Sequence, residues 1–211
     1  MTRELYANGT IEAYLERLAS AEPEPGGGSV AALVGALAAA LVSMVTNLTL
    51  GKEKYALAQD EMVEIKANAE FARARLAELI TLDAEAYGAV AQAMKLPKDT
   101  EEEKSVRTAA LQKALRGAAE TPLEVAEAAA EVARLSLPAA ELGNVHAVSD
   151  AAVAAVLSDA AAHSAALNVK INLAWIDDKD YARVAWARVE AVLQETAHLR
   201  DVVLSLTYAR L

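Results

Sequence analysis

The sequence contains no cysteine, and this absence excludes disulfide bonds, thiolate metal ligands and cysteine nucleophiles. It has three histidines, His146, His163 and His198, which are widely spaced and form no H-E-x-x-H motif. We therefore expect no metal site. Aromatic residues make up only 4% of a chain of 211 residues that is 55% hydrophobic. The core must therefore be built from alanine, leucine and valine, and alanine is the best helix former.

Basic residues are also scarce, with 20 Lys and Arg against 30 Asp and Glu, which gives a formal net charge of -10. This balance argues against nucleic-acid binding, because phosphate contacts need a basic surface. It does not exclude a small anionic ligand held by a local basic patch. The first 18 residues include acidic side chains and no apolar core, which argues against a signal peptide and makes a cytoplasmic location the expectation.

Strand signals are missing, because no segment alternates apolar and polar residues over a useful length. We predict an all-α fold, with residues 1–211 forming a single domain: a bundle of about seven helices around a buried apolar central helix. Thr100 and Glu103 have the spacing of a capping box. Thr121 followed by Pro122 predicts the start of a separate helix.

The most apolar segment, residues 26–51, carries no charge and begins with the glycine cluster of "PEPGGGS". Gly26, Gly28 and Ala31 fit the dinucleotide pattern G-x-G-x-x-A, but a helix and prolines precede them where that pattern needs a strand. Residues 29–50 are long enough to span a bilayer. However, they include several polar residues and no flanking aromatic belt, so the central helix of a soluble bundle is favoured and no membrane is expected.

The glycine cluster at the start of this helix has two interpretations. Glycines let the backbone approach a ligand, and a helix N-terminus offers free N–H groups to an anion. Gly26, Gly27, Gly28 and Ser29 would then bind substrate. Alternatively, they form a flexible turn that ends in the N-cap Ser29. The residues alone leave both interpretations open.

"PGGGSVAAL" together with "NLTLGKEKY" resembles the cyclodeaminase/cyclohydrolase family, which includes the cyclodeaminase half of formiminotransferase-cyclodeaminase and the methenyltetrahydrofolate cyclohydrolases. "LPKDTEEEKSVRTAALQKAL", "VSDAAVAAVL" and "ALNVKINL" are similar to it too, so the resemblance covers residues 10–181. It implies an all-helical homodimer that acts on one-carbon derivatives of tetrahydrofolate. It implies no metal and no cofactor beyond the folate substrate.

Three residues are candidates for catalysis under this resemblance. Asp150 follows Ser149 at a predicted helix start and could act as the counter-ion of a folate amidinium, or simply cap the helix. Lys52 could supply a proton or hold the glutamate tail, or be an ordinary solvated charge at a helix C-terminus. Asp83 lies in "LITLDAEAYGAV" and is either buried and paired or on the solvated face.

Further residues are candidates for substrate binding. Asn168 and Asn172 are four residues apart and share a helix face. They could form hydrogen bonds with the pterin ring, or they could form hydrogen bonds that link neighbouring helices. The others are Ser149, Asn47 and Lys54, the last two near the end of the apolar helix. His146 is more readily explained as a structural residue than as an acid or base.

We predict hydrolysis of 5,10-methenyltetrahydrofolate to 10-formyltetrahydrofolate. The alternative is a formiminotetrahydrofolate cyclodeaminase that releases ammonia, and a second alternative is a helical binding module without catalysis. The chain begins at Met1 and leaves no room for a formiminotransferase domain, which favours the hydrolase, although such a partner could be a separate protein. We also expect a homodimer with helices from both subunits near the site.

Overall fold

The computed structural model describes residues 6–211, which form six α-helices and three short 3-10 helices without any strand. The α-helices are α1 (Ile11–Leu18), α2 (Gly27–Asn47), α3 (Gln59–Met94), α4 (Glu101–Leu142), α5 (Val148–Ala174) and α6 (Lys179–Tyr208). The 3-10 helices are Tyr6–Asn8, Glu53–Ala58 and Val145–Ala147. The predicted all-α class is confirmed.

The helices pack into a bundle in which α4 contacts α2, α3, α5 and α6. The apolar helix α2 lies between α3 and α5 and also contacts α4. Small residues make this close packing possible. A Cβ added at Gly35 would lie 3.1 Å from a Leu76 methyl, which is a crowded contact with α3, and 3.7 Å from the Ala161 Cβ, which is an ordinary contact with α5.

Helix α4 corrects the predicted helix count, because it runs without a break through Thr121 and Pro122. A separate helix was predicted to begin there, which contributed to the expected number of about seven. Pro122 lacks an N–H and leaves the carbonyl of Ala118 without its intrahelical partner. Asn172 Nδ2 on α5 donates to that carbonyl at 2.8 Å. Earlier in the same helix, the capping box of Thr100 and Glu103 is confirmed.

Helix α2 is not fully enclosed by the described residues of one chain. Its buried side includes Ala31, Ala38 and Val42, while Leu37 is 51% exposed and Met44 37% exposed. Two segments, Gly27–Asn47 and Val145–Ala174, are long and apolar enough to cross a membrane by length and composition, and about half of each is buried in the bundle. The core helices of soluble proteins share these properties.

Candidate functional site

A cavity of about 390 Å³ opens at the glycine-rich start of α2. Its wall combines the first turn of α2 with the second half of α3, the first half of α4 and the end of α5. Seven of the predicted site residues lie at this cavity or directly behind it, and we call them the glycine-end group: Gly26, Gly27, Gly28, Ser29, Asp83, Asn168 and Asn172.

Gly28 allows Asp83 to approach the backbone of α2. A Cβ added at Gly28 would lie 2.0 Å from Asp83 Oδ1, a distance that no real side chain can adopt. Gly27 is different, because a Cβ there would lie 3.5 Å from Asn168 Nδ2, an ordinary contact. At position 28, therefore, only glycine allows the close packing of α3 against the N-terminus of α2.

Ser29 contacts the carboxyl of Asp83 but does not line the cavity itself. The Ser29 hydroxyl is fully buried and donates to the Ile80 carbonyl at 2.7 Å, with Asp83 Oδ2 3.4 Å away. Burial raises the pKa of Asp83, and the hydrogen bonds from the Ser29 backbone and hydroxyl act in the opposite direction. Because burial is the larger effect, Asp83 takes up a proton more readily than an exposed aspartate does.

The side-chain amides of Asn168 and Asn172 donate hydrogen bonds to backbone carbonyls. Asn168 Nδ2 donates to Ser164 O at 2.9 Å, and Asn172 Nδ2 donates to Ala118 O and to Asn168 O at 2.8 and 2.9 Å. Neither Oδ1 atom accepts a hydrogen bond within the described part of the chain. Since both residues line the cavity, they offer acceptors to a ligand.

The other five predicted residues lie at the opposite end of α2. We call Asn47, Lys52, Lys54, Ser149 and Asp150 the lysine-end group. Because α2 has 21 residues, the two ends are separated by about 30 Å. Within one chain, the structure therefore does not bring these five residues to the cavity.

The lysine-end group is organised by Asn144, which the sequence-based reasoning missed. Its Nδ2 donates to Leu48 O at 3.0 Å and its N–H to Thr49 Oγ1 at 2.9 Å. The Tyr55 hydroxyl lies 3.3 Å from Asn144 Oδ1. These bonds fix the start of α5 against the end of α2. The only sequence signal for this was the turn composition of the "GN" dipeptide that follows α4.

Side chains of the lysine-end group are available to a partner or ligand. Asp150 lies in the first turn of α5, where Ala147 is the N-cap, so Asp150 does not cap the helix. Neither Asp150 nor Lys52 forms a side-chain hydrogen bond or ion pair within residues 6–211. Lys54 Nζ lies 5.4 Å from the centre of the Tyr55 ring. His146 follows Asn144 in the 3-10 helix Val145–Ala147, outside the cavity lining.

A second cavity borders the first, and Glu24 and Ala84 line both. Tyr14 is 9% exposed there, and its hydroxyl has no hydrogen-bond partner among the described residues. Burial, with smaller contributions from Asp83 and Tyr6, raises the pKa of Tyr14 to about 12. Nothing in the sequence pattern pointed to Tyr14, which reads as an ordinary apolar position of α1.

No group of three or more His, Asp or Glu residues that could hold a metal occurs in the described range. What the cavity offers is a protonatable carboxyl, two amide acceptors and the N–H groups of a helix N-terminus, beside an apolar wall. This combination suits the binding of a flat heterocycle and the transfer of a proton.

Comparison with known proteins identifies the class to which this fold and cavity correspond. Residues 10–191 match the family described as formiminotransferase-cyclodeaminase. This match covers most of the chain, and the chain belongs to that family.

Individual relatives carry two different names. The chain is 43% identical over 194 residues to the methenyltetrahydrofolate cyclohydrolase of Methylorubrum extorquens, covering 92% of this chain and 93% of that protein. It is 36% identical over 201 residues to the formimidoyltransferase-cyclodeaminase of Rattus norvegicus. That alignment covers 95% of this chain but 37% of the rat protein.

A solved structure has the same fold. The crystal structure of formiminotetrahydrofolate cyclodeaminase from Thermotoga maritima superimposes with a TM-score of 0.86 at 31% sequence identity. The superposition covers 95% of this chain and 96% of that one. The similarity therefore extends over nearly all of both chains.

Proposed function

We propose that this chain is a methenyltetrahydrofolate cyclohydrolase, which hydrolyses 5,10-methenyltetrahydrofolate to 10-formyltetrahydrofolate. The observation that carries the proposal is the Asp83 carboxyl, whose pKa burial raises, at the edge of a cavity formed by the glycine-rich start of α2. The relative with 43% identity bears the name of this activity. Together they favour an enzyme over a non-catalytic binding module.

The lining of the cavity fits a reduced folate. The pterin ring presents N–H donors, which match the free Oδ1 atoms of Asn168 and Asn172. The apolar wall, which includes Leu111, Leu115 and Trp175, suits the aromatic ring that follows the pterin. Asn168 and Asn172 would thus have both a structural role and a binding role. Their amide nitrogens form hydrogen bonds to backbone carbonyls, and their oxygens would accept hydrogen bonds from the ligand.

The proposed reaction uses Asp83 as the carrier of a proton. Water attacks the carbon that bridges N5 and N10, and Asp83 takes one proton from that water. The bond from carbon to N5 then breaks, and N5 receives a proton while the carbon remains on N10 as a formyl group. The cationic substrate and water thus give the neutral formyl product and one released proton. A raised pKa helps Asp83 both to accept and to return the proton.

We propose that residues 1–211 act as one cytoplasmic domain that uses no metal and no cofactor other than its folate substrate. The open face of α2 around Leu37 and Met44 supports a homodimer. In that dimer, α2 would become the enclosed apolar helix that the sequence predicts.

Cyclodeamination of 5-formiminotetrahydrofolate is the second candidate function. The Thermotoga maritima structure with a TM-score of 0.86 carries that name. In this reaction N10 attacks the formimino carbon and ammonia leaves, so the same carboxyl could supply the proton to the leaving nitrogen. A separate formiminotransferase would then be the partner that supplies the substrate.

The proposal is tested by following loss of the methenyl absorbance with purified protein. We expect turnover by the wild-type protein, the same turnover after dialysis against a chelator, and strongly reduced turnover by Asp83→Asn. Activity that is lost on chelation and restored by zinc or magnesium would contradict the metal-free mechanism. Wild-type turnover no faster than the buffer blank would contradict the proposed activity.

A further inference from the structure

Tyr14 is the one residue of α1 that the described part of the bundle buries. Its ring packs edge-on against Tyr6, with the ring centroids 6.1 Å apart and an angle of 85° between the rings. Phenylalanine would serve this packing equally well. The hydroxyl of Tyr14 is nevertheless buried too, and it has no hydrogen-bond partner in the described chain. Because a buried hydroxyl without a partner costs free energy, we expect it to have a partner in another state of the protein.

The carboxyl of Asp83 has few hydrogen-bond donors for a buried charge. Ser29 offers its backbone N–H and its hydroxyl. That hydroxyl has a single proton, and the Ile80 carbonyl at 2.7 Å is a nearer acceptor than Asp83 Oδ2 at 3.4 Å. An ionised carboxylate can accept about four hydrogen bonds, and each bond favours the charged form. The ionised form of Asp83 can therefore accept a further donor.

The packing of the N-terminal segment on α3 brings Tyr14 close to Asp83. The Tyr6 N–H donates to Thr81 Oγ1 at 3.0 Å, two residues before Asp83. Tyr14 and Thr81 line the second cavity, and Asp83 lines the first. The charge of Asp83 is near enough to add to the effect of burial, and the pKa of Tyr14 is raised to about 12. Tyr14 therefore keeps its proton at neutral pH and serves as a hydrogen-bond donor rather than as a base.

The other titratable groups around this pair do not compensate the charge of Asp83. Glu24 lines both cavities, and Glu85 lines the second one. Arg17 in the second cavity is paired with two glutamates, at 2.9 and 3.7 Å. Tyr87 lies one turn beyond Asp83 on α3 and is 49% exposed, so its hydroxyl has water as a partner. The parts of α2, α4 and α5 that line the first cavity contribute no charged side chain.

We propose that Tyr14 is a positioning residue for Asp83, and that its hydroxyl donates a hydrogen bond to the carboxylate whenever Asp83 is ionised. The bond holds one carboxylate oxygen on the side of Tyr14 and leaves the other for the first cavity. It also stabilises the ionised form, which is the form that accepts a proton from the attacking water. The proton of Tyr14 stays on the phenol throughout. The inference rests on the proposed function for the role of Asp83 in proton transfer, whereas the bond itself forms in the protein without substrate.

The hydrogen bond is tested first in the protein without substrate. Tyr14→Phe removes the hydroxyl and keeps the ring, and denaturant unfolding is measured at a series of pH values. Because the folded pKa of Asp83 lies above 3.8, loss of a donor to the carboxylate raises it further. Tyr14→Phe should therefore lower the free energy of unfolding more at pH 7 than near pH 3.8. A difference between the two proteins that does not change with pH would overturn the inference.

The same substitution in Asp83→Asn protein is the control for this series. Residue 83 is then uncharged at every pH, so the effect of Tyr14→Phe on the free energy of unfolding should not change with pH. An equally pH-dependent effect in this background would assign it to another carboxyl, such as Glu24 or Glu85, and would contradict the bond to Asp83.

The second test is the pH dependence of turnover with 5,10-methenyltetrahydrofolate, after subtraction of the rate in buffer. Wild-type turnover should rise with pH as Asp83 ionises. Tyr14→Phe should move this rise to higher pH by about one unit, which is a tenfold loss of turnover at a pH within it. The KM should change little, because Tyr14 donates to Asp83 and not to the folate. Tyr6→Phe removes the hydroxyl of the neighbouring tyrosine and should keep the wild-type profile. A raised KM with an unmoved profile would contradict the positioning role.

A second variant serves if Tyr14→Phe does not fold. 3-Fluorotyrosine incorporated at position 14 keeps the size of the ring and makes the phenol a stronger donor. The rise in turnover should then move to lower pH, and an unmoved profile would overturn the inference. Wild-type protein that turns over neither folate refutes the proposed function, while the unfolding series still decides whether Tyr14 bonds to Asp83. An active wild-type protein whose unfolding series shows no pH-dependent effect of Tyr14→Phe refutes this inference alone.

Discussion

At the scale of single residues, the ionisation of Asp83 is coupled to the fold. Its burial raises the pKa in the folded state above the ordinary value of 3.8. The folded chain therefore binds this proton more tightly than the unfolded chain. Its contribution to stability is fully present below pH 3.8, and it is lost as the pH rises through the folded pKa. At neutral pH the charged Asp83 lowers the free energy of unfolding.

Asp83→Asn should therefore be more stable than the wild-type protein at pH 7 and much less active. Denaturant unfolding at a series of pH values measures the difference in the free energy of unfolding. We expect that difference to shrink as the pH falls towards 3.8. A variant less stable than wild type at pH 7 would show that the charged form of Asp83 is stabilising instead.

In a homodimer whose second subunit brings Asp150 to the cavity, Asp150→Asn should lower turnover by about 10²-fold or more, the usual range for losing a positioned electrostatic or acid–base group. Thermal stability should change little, because Asp150 makes no capping hydrogen bond and contributes only a charge near the N-terminus of α5. Asp180→Asn is the matched control, since Asp180 lies in the first turn of α6 and is exposed. It should show the same small change in melting temperature with unaltered turnover. Near-normal turnover of folded Asp150→Asn would remove Asp150 from the mechanism.

At the scale of the elements, a side-chain hydrogen bond from α5 compensates for the proline inside α4. Asn172 satisfies the Ala118 carbonyl that Pro122 leaves without a partner. Asn172→Ala should lower the free energy of unfolding by about 1–3 kcal/mol, the cost of an unpaired buried polar group. In the Pro122→Ala variant, residue 122 regains an N–H that can donate to the Ala118 carbonyl. Asn172→Ala should therefore lower the free energy of unfolding by less in that variant.

Denaturant unfolding of the two single variants and the double variant measures this coupling. Equal losses from Asn172→Ala in both backgrounds would show that the bond to Ala118 does not stabilise α4. Activity is measured on the same proteins, because Asn172 also lines the cavity. Recovery of stability without recovery of activity would separate the two roles of this residue.

The second prediction for a helix concerns the glycine cluster at the start of α2. Gly28→Ala should displace Asp83 and lower both melting temperature and turnover, because its Cβ would lie 2.0 Å from Asp83 Oδ1. Gly27→Val should weaken folate binding far more than it lowers the melting temperature, since Gly27 is exposed at the cavity. Binding is measured by titration calorimetry with the folate. If Gly27→Val binds normally once folded, the cluster is only a turn.

The sequence could predict the helices but not all of their limits. Hydrophobic periodicity and the Thr100 capping box predicted an all-helical chain, because such signals are local. The pair Thr121 and Pro122 has the pattern of a helix start, yet the same pair can lie inside a helix when another residue satisfies the freed carbonyl. That residue, Asn172, is 50 positions away, so no local pattern could reveal the exception.

At the scale of the whole molecule, the sequence analysis assigned all the candidate residues to one site. In the folded chain they lie in two groups at opposite ends of α2. The glycine cluster and Asp83 meet because α2 and α3 pack side by side. Asn47 is the last residue of α2 and Lys52 follows it closely in sequence, so the length of α2 places both at the end of the helix far from the glycine cluster. Which surfaces of two copies meet depends on exposure in the folded chain, and a single sequence does not display exposure.

Leu37→Lys should turn a dimer into a monomer. Leu37 lies in the middle of the exposed face of α2, and two lysines would face each other across a symmetric interface. Light scattering at micromolar concentration measures the mass of the wild-type and variant proteins. Val184→Lys is the control of similar exposure on α6 and should remain dimeric. A monomeric wild-type protein would contradict the homodimer.

The most direct measurement compares the rates on two folates with the same wild-type protein. 5,10-Methenyltetrahydrofolate is followed by loss of its absorbance, and 5-formiminotetrahydrofolate by release of ammonia. We predict rapid hydrolysis of the methenyl form to 10-formyltetrahydrofolate and little release of ammonia from the formimino form. Rapid release of ammonia with methenyl hydrolysis no faster than in buffer would contradict the cyclohydrolase account and establish a cyclodeaminase.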